Sequence, residues 1–230
     1  MPAGLRMARI PLTGKRGARY LYPRVSMTPH DVGSRSAFAV GIVGVVYAAV
    51  VALGMSTYGL STPIGDPILA LMEVLTIASA LPLLVMMAAL HVVAPEDRKL
   101  AGVLALASTT MFAATTCVVH FVELTAGRQQ GVRGLIWPST TYAAELMAWS
   151  VFLGLALLLG ARVLSETHEG RIARRSMQLA GTLCLLGTVG PLVGQMRLQL
   201  IGVAGYGVVL PVAAFAMAGW FRASRHALER

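Results

Sequence analysis

Residues 38–58 read FAVGIVGVVYAAVVALGMSTY, a stretch without a single charged side chain. A helix rises about 1.5 Å per residue, so about 20 apolar residues reach across the hydrocarbon core of a bilayer. The stretch is apolar on every side, unlike a helix that lies on the surface of a soluble protein. It therefore predicts a transmembrane helix, and this sets the class of fold for the chain.

The rest of the chain repeats this pattern. The predicted transmembrane helices lie at about 38–58, 67–93, 100–124, 141–164, 177–195 and 200–221. We therefore expect an all-α, polytopic membrane protein with six transmembrane helices in residues 37–222. A flexible basic tail, residues 1–36, would precede this domain, and a short tail, residues 223–230, would follow it.

The composition supports this class. Of 230 residues, 56% are hydrophobic and only 13% are charged, and the mean hydropathy is +0.70. Soluble domains average about 45–50% apolar and about 25% charged residues. A water-soluble domain is therefore disfavoured, as are a disordered chain and a disulfide scaffold.

The basic residues are distributed unequally between the two sides of the predicted bundle. Of 19 lysines and arginines, only Arg128, Arg133 and Arg197 fall on the side opposite the termini. Short cytoplasmic loops carry the excess of basic residues in membrane proteins. We therefore expect a plasma (inner) membrane protein with both termini cytoplasmic. The net charge of +9 orients the bundle, and no nucleic-acid partner is expected.

Motifs for soluble cofactors are missing. The chain contains no phosphate-binding Walker loop, no G-x-G-x-x-G, no G-x-S-x-G and no C-x-x-C. No cofactor is therefore expected, and an ATPase or a dinucleotide-dependent enzyme is disfavoured.

Ionisable side chains inside the predicted helices are the strongest functional signal, because each costs about 3 kcal/mol at the centre of a bilayer. Glu73 lies seven residues after Asp66, about 10 Å along its helix. His120 and Glu123 on the third predicted helix, and Glu145 on the fourth, are expected in the same layer near the outer side of the membrane. Together with polar residues at the same level, the predicted binding residues are Glu73, His120, Glu123, Tyr142, Glu145 and Gln195.

Three interpretations of this cluster compete. The acids could simply form ion pairs with Arg128, Arg133 and Arg197. They could instead line an outward-facing pocket that binds or moves a small or lipidic molecule, or protons. Thirdly, an embedded enzyme could use acid–base chemistry or a metal, with His120, Glu123 and Glu145 as its ligands.

Glycines of the last two predicted helices suggest a packing surface. Their positions are Gly190, Gly194, Gly202 and Gly205, which begin with a G-x-x-x-G pair. Small residues at this spacing let helix backbones approach closely. They could pack the two helices together, or provide the contact of a homo-oligomer or an accessory subunit with its partner.

Residues 95–160 resemble a group of bacterial multi-pass membrane proteins of unknown function. The shared features are a basic loop at Pro95–Lys99, an aromatic helix end at His120–Leu124 and an Ala-x-Glu-Leu stretch at Ala143–Leu146. His120 and Glu123 depart from the aromatic and amide residues more usual there. The resemblance implies a multi-pass membrane fold and carries no activity with it.

Overall fold

The computed structural model describes residues 27–59, 62–131 and 134–229. These residues form helices and no strand, which confirms the all-α prediction for the described part of the chain. Its six long helices are α1 (Pro29–Tyr58), α2 (Ile68–Val92), α3 (Glu96–Gln130), α4 (Thr140–Ala161), α5 (His168–Gly187) and α6 (Met196–Ala227).

Five of these helices are long and apolar enough to cross a membrane, and α5 differs from them. The prediction placed the fifth span at 177–195, whereas α5 begins at His168 and is followed by the short helix Val189–Leu192. The side chain of Thr167 accepts a hydrogen bond from the Gly170 N–H and so starts the helix among polar residues. Hydropathy marks where polar residues stop, whereas a cap marks where the helix begins.

The first helix also begins earlier than its apolar stretch. The Thr28 hydroxyl accepts from the Asp31 N–H, and the Asp31 carboxylate accepts from the Thr28 N–H. This reciprocal capping box, with Pro29 in the first turn, starts α1 inside the expected 1–36 tail. Residues 1–26 of that tail lie outside the described part of the chain.

The six helices pack as a closed ring. Each contacts the next along the chain, and α6 returns to pack against α1. Large apolar side chains from four helices fill the interior without exposure to solvent; among them are Phe112, Leu153, Leu157, Met177, Met217 and Phe221. This core holds the helices in register and leaves the polar residues for one end of the bundle.

The glycines of the last two helices are used inside the chain. A Cβ on Gly187 would lie 2.6 Å from the Cα of Gly202, and one on Gly205 would lie 2.9 Å from the backbone of Ala180. Gly190 is buried against the backbone of Gln199. Gly194 instead occupies a left-handed turn with open space around it. Three of the four predicted glycines thus join α5 to α6.

The outer surface of the ring is apolar. Side chains that point away from the interior are largely exposed, including Leu81 at 67% and Leu100 at 70%. A soluble protein rarely exposes apolar patches of this extent. The surface is therefore suited to contact lipid tails, in agreement with the five membrane-length helices.

The two ends of the bundle differ in charge. At one end the first and last helices meet, where Arg225 forms an ion pair with Asp31 and the Ser34 hydroxyl donates to the Ala218 carbonyl. Arg98 and Arg174 bind the Leu164 carbonyl at this same end. The opposite end holds the predicted polar cluster.

Candidate functional site

Three π-helical turns shape the end of the bundle that holds the polar residues. They cover Glu123–Gly127 in α3, Met147–Phe152 in α4 and Gly205–Val209 in α6. A π-helical turn inserts an extra residue and so changes the direction of the side chains around it; such turns are frequent at functional sites. The turns contain Glu123, Trp149 and Tyr206 respectively.

His120 and Glu145 form a buried pair between α3 and α4. His120 Nε2 lies 2.8 Å from Glu145 Oε1, and the side chains are only 9% and 8% exposed. The Trp149 indole N–H donates to the same carboxylate oxygen. An ionised carboxylate oxygen only accepts hydrogen bonds. We therefore assign a proton to His120 Nε2, which makes it the second donor to Oε1 beside the indole.

The pair also has two polar atoms without a hydrogen-bond partner in the described chain. Glu145 Oε2 and His120 Nδ1 are buried and have no hydrogen-bond partner among the described residues. A buried polar atom without a partner costs about 1–3 kcal/mol, so such atoms in a folded protein require an explanation.

Arg128 joins the acids at the mouth of the bundle. Its NH1 group lies 2.6 Å from Glu73 Oε2, and its NH2 group lies 2.9 Å from Asp66 Oδ1. It also donates to the backbone carbonyl of Glu123. One guanidinium thus ties α2, α3 and the loop before α2 together, and for Glu73 the ion-pair interpretation agrees with the structure.

Glu123 has a different environment. Its carboxylate accepts a hydrogen bond of 3.0 Å from the Gly134 N–H. It therefore holds the loop that leads to α4, rather than pointing to His120. Arg133, one of its predicted partners, lies outside the described residues. Arg197, the second residue of α6, is exposed.

A cavity of about 220 Å³ lies beside the His120–Glu145 pair. This volume can hold several water molecules or a small ligand. Val40, Val43 and Leu210 form part of its apolar wall. Its polar and aromatic lining comes from five helices: Tyr47, Glu73, Thr76, Ser79, His120, Tyr142, Glu145, Trp149 and Tyr206.

A second depression adjoins this cavity at the end of the bundle that holds Arg128. Asp66, Glu123 and Arg128 line the depression, and it shares Leu69 and Glu73 with the cavity. The shared residues place the depression next to the cavity. Three carboxylates and one arginine border this depression in the described residues.

The structure brings most of the predicted binding residues together, but not all of them. Glu73, His120, Tyr142 and Glu145 line the cavity, whereas Glu123 lines only the depression. Gln195 is exposed in the turn before α6 and lines neither.

Sequence reasoning missed several residues of this region. Gln199, rather than Gln195, is buried, and its amide lies 3.4 Å from the Ser150 hydroxyl. Tyr47, Trp149 and Tyr206 line the cavity, but aromatic residues in apolar helices give no distinct signal. Only Trp149 was detectable, because it lies one turn after Glu145 on the same face.

The residues predicted to hold a metal do not converge. Within the described ranges, no three His, Cys, Asp or Glu side chains form a group that could hold an ion. Glu123 is turned to Gly134 and leaves His120 and Glu145 as a pair. Two ligands are fewer than the three or four that protein zinc sites use.

The chain was compared with known proteins. It matches no known protein family, no curated protein and no solved structure. The resemblance of residues 95–160 to bacterial multi-pass proteins stays a prediction.

Proposed function

We propose that this chain is a six-span membrane protein that binds or moves a small or lipidic molecule through an outward-facing pocket. The observation that carries the proposal is the cavity beside His120 and Glu145. It lies in a bundle whose outer surface is apolar, and each of these two lining residues has a buried polar atom with no partner in the described residues.

The orientation follows from the charges at the two ends. Arg98, Arg174 and Arg225 lie at the end where α1 starts and α6 finishes. The positive-inside rule places that end in the cytoplasm and the cavity toward the outside of the plasma membrane. This arrangement requires α5 to cross the membrane, although its first turns are polar.

Labelling of single cysteines tests the six spans. Ile136→Cys, Glu169→Cys and Arg197→Cys would be made in a chain with Cys117 and Cys184 replaced by alanine; each position tested is exposed or close to a helix end. We expect an impermeant maleimide to label 136 and 197 in intact cells, and 169 only after the cells are opened. Labelling of 169 and 197 from the same side would contradict a crossing by α5.

A second experiment tests access to the cavity. Ser79 lines the cavity, whereas Leu81, two residues along the same helix, is exposed on the apolar outer surface. We expect Ser79→Cys to react with a permanently charged methanethiosulfonate added to intact cells. Leu81→Cys should stay unmodified, because these reagents need a thiol in water. If Ser79→Cys does not react in folded protein, the proposal of an outward-facing pocket is rejected.

A further inference from the structure

The cavity combines an acidic group with a free carboxylate oxygen and aromatic rings. From this combination we infer that it binds a primary ammonium group that carries an apolar tail. The inference rests on the proposed function, because it names the ligand class for the same pocket.

The unpartnered oxygen of Glu145 requires a hydrogen-bond donor. Glu145 Oε2 is an acceptor when the carboxylate is ionised. A primary ammonium carries three N–H donors and can satisfy this oxygen, whereas a carboxylate or phosphate ligand would bring only further acceptors.

The charge around the cavity favours a cation. Glu73 and Glu145 both line it, and Asp66 and Glu123 line the adjoining depression. Arg128 is the one arginine among the described residues of this depression, and it is already bound to Asp66 and Glu73. The Glu145 carboxylate has no arginine partner in the described chain, so its charge is balanced only by donors.

Aromatic side chains surround the same space. Trp149 and Tyr206 lie with ring centroids 4.9 Å apart and an angle of 52° between their planes. Tyr47 and Tyr142 complete the aromatic lining. Indole and phenol faces attract ammonium ions, and the attraction strengthens where water is excluded.

The remaining wall is suited to a tail. Apolar side chains also line the cavity, among them Val40, Val43, Leu75, Leu210 and Pro211. An apolar chain in contact with these side chains is removed from water, which is favourable by about 25 cal/mol per Å². A ligand with a cationic head and a short alkyl tail therefore matches both parts of the lining.

Protection of Ser79→Cys from the methanethiosulfonate reagent tests this ligand class in purified full-length protein in lipid nanodiscs. The probes are octylammonium, octyltrimethylammonium, 1-octanol and octanoate, which share one tail and differ in the head group. We expect octylammonium to protect the thiol at a concentration at least ten-fold lower than any of the other three.

Two further variants identify the residues. Glu145→Gln keeps the shape of the side chain and removes its charge, so octylammonium should protect at least ten-fold less well. Trp149→Phe removes the indole N–H and weakens the cation–π contact, and should reduce protection several-fold. Glu96→Gln is the control: this side chain is 94% exposed at the opposite end of the bundle, and protection should not change.

The outcomes separate this inference from the proposed function. If Ser79→Cys reacts and any other probe protects as well as octylammonium, the pocket stands and the ammonium assignment is overturned. The same holds if protection by octylammonium is unchanged in both Glu145→Gln and Trp149→Phe. If Ser79→Cys does not react, the accessible pocket itself is rejected, and the ammonium site with it.

Discussion

His120 Nε2 lies 2.8 Å from Glu145 Oε1, which links α3 to α4 through two side chains buried at the level of the cavity. Removal of the donor from a buried pair leaves the carboxylate desolvated and uncompensated, whereas removal of the donor together with the carboxylate charge does not. The pair is therefore a structural link between two helices as well as part of the cavity lining.

We predict that His120→Ala lowers the free energy of unfolding by about 3 kcal/mol, because Glu145 would keep only the Trp149 indole as a donor. The double variant His120→Ala/Glu145→Gln should recover part of this loss. Unfolding in mixed detergent micelles at increasing dodecyl sulfate measures both values. His168→Ala, at the exposed start of α5, is the matched control and should change stability by less than about 0.5 kcal/mol. Equal losses in the single and double variants would contradict a coupled pair.

Much of this fold was predictable from the sequence. Long runs without charges give the helices, and ionisable residues such as Glu73 and Glu145 within those runs give the level of the site. The depth argument predicts a common level for these residues from the constant rise per residue of a helix. It needed no knowledge of how the helices pack.

The rotation of each helix about its own axis and the local backbone geometry could not be predicted from the sequence. The π-helical turn Gly205–Val209 changes the direction of Tyr206, and no residue type marks such a turn in advance. Gln195 is exposed in the turn before α6, whereas Gln199, four residues later in the first turn of α6, is buried. The starts of α1 and α5 depended on caps that hydropathy does not detect.

Arg128 is expected to be a main contributor to the stability of the cavity mouth. Arg128→Met should cost about 3 kcal/mol, because Glu73 is only 2% exposed and would lose its charged partner. Arg128→Lys should give an intermediate loss, since an ammonium cannot reproduce the forked contacts to Asp66 and Glu73. The same detergent unfolding assay applies.

Two variants control this prediction. Arg128→Met/Glu73→Gln should be more stable than Arg128→Met, because the buried charge has been removed with its partner. Arg197→Met removes an exposed arginine at the same end of the bundle and should change stability little. If Arg128→Met unfolds as easily as Arg197→Met, the guanidinium does not hold the acids.

Glu166, in the loop between α4 and α5, should make the stability of the fold depend on pH. This loop lies at the end of the bundle opposite the cavity. A hydrogen bond from Arg174 holds the pKa of the exposed Glu166 carboxylate below its usual value of 4.5. A lowered pKa in the folded state stabilises the fold above pH 4.5, and this stabilisation is lost as the pH falls through the folded-state pKa. Glu166→Gln should therefore show a flatter decline of melting temperature between pH 5 and pH 3 than the parent chain. The effect should be small, because the pair is exposed. Parallel declines in the two proteins would argue against the pairing.

The contact between α5 and α6 depends on the absence of a side chain at Gly187. A Cβ there would lie 2.6 Å from Gly202 Cα, a backbone atom that cannot turn away as a side chain can. We expect Gly187→Ala to cost about 2 kcal/mol through overpacking. Gly219→Ala is the control, because nothing lies within 4 Å of its added Cβ and alanine favours a helix over glycine. Detergent unfolding should therefore place Gly187→Ala below the parent chain and Gly219→Ala at or above it. If both variants unfold like the parent chain, the two helices do not meet at Gly187.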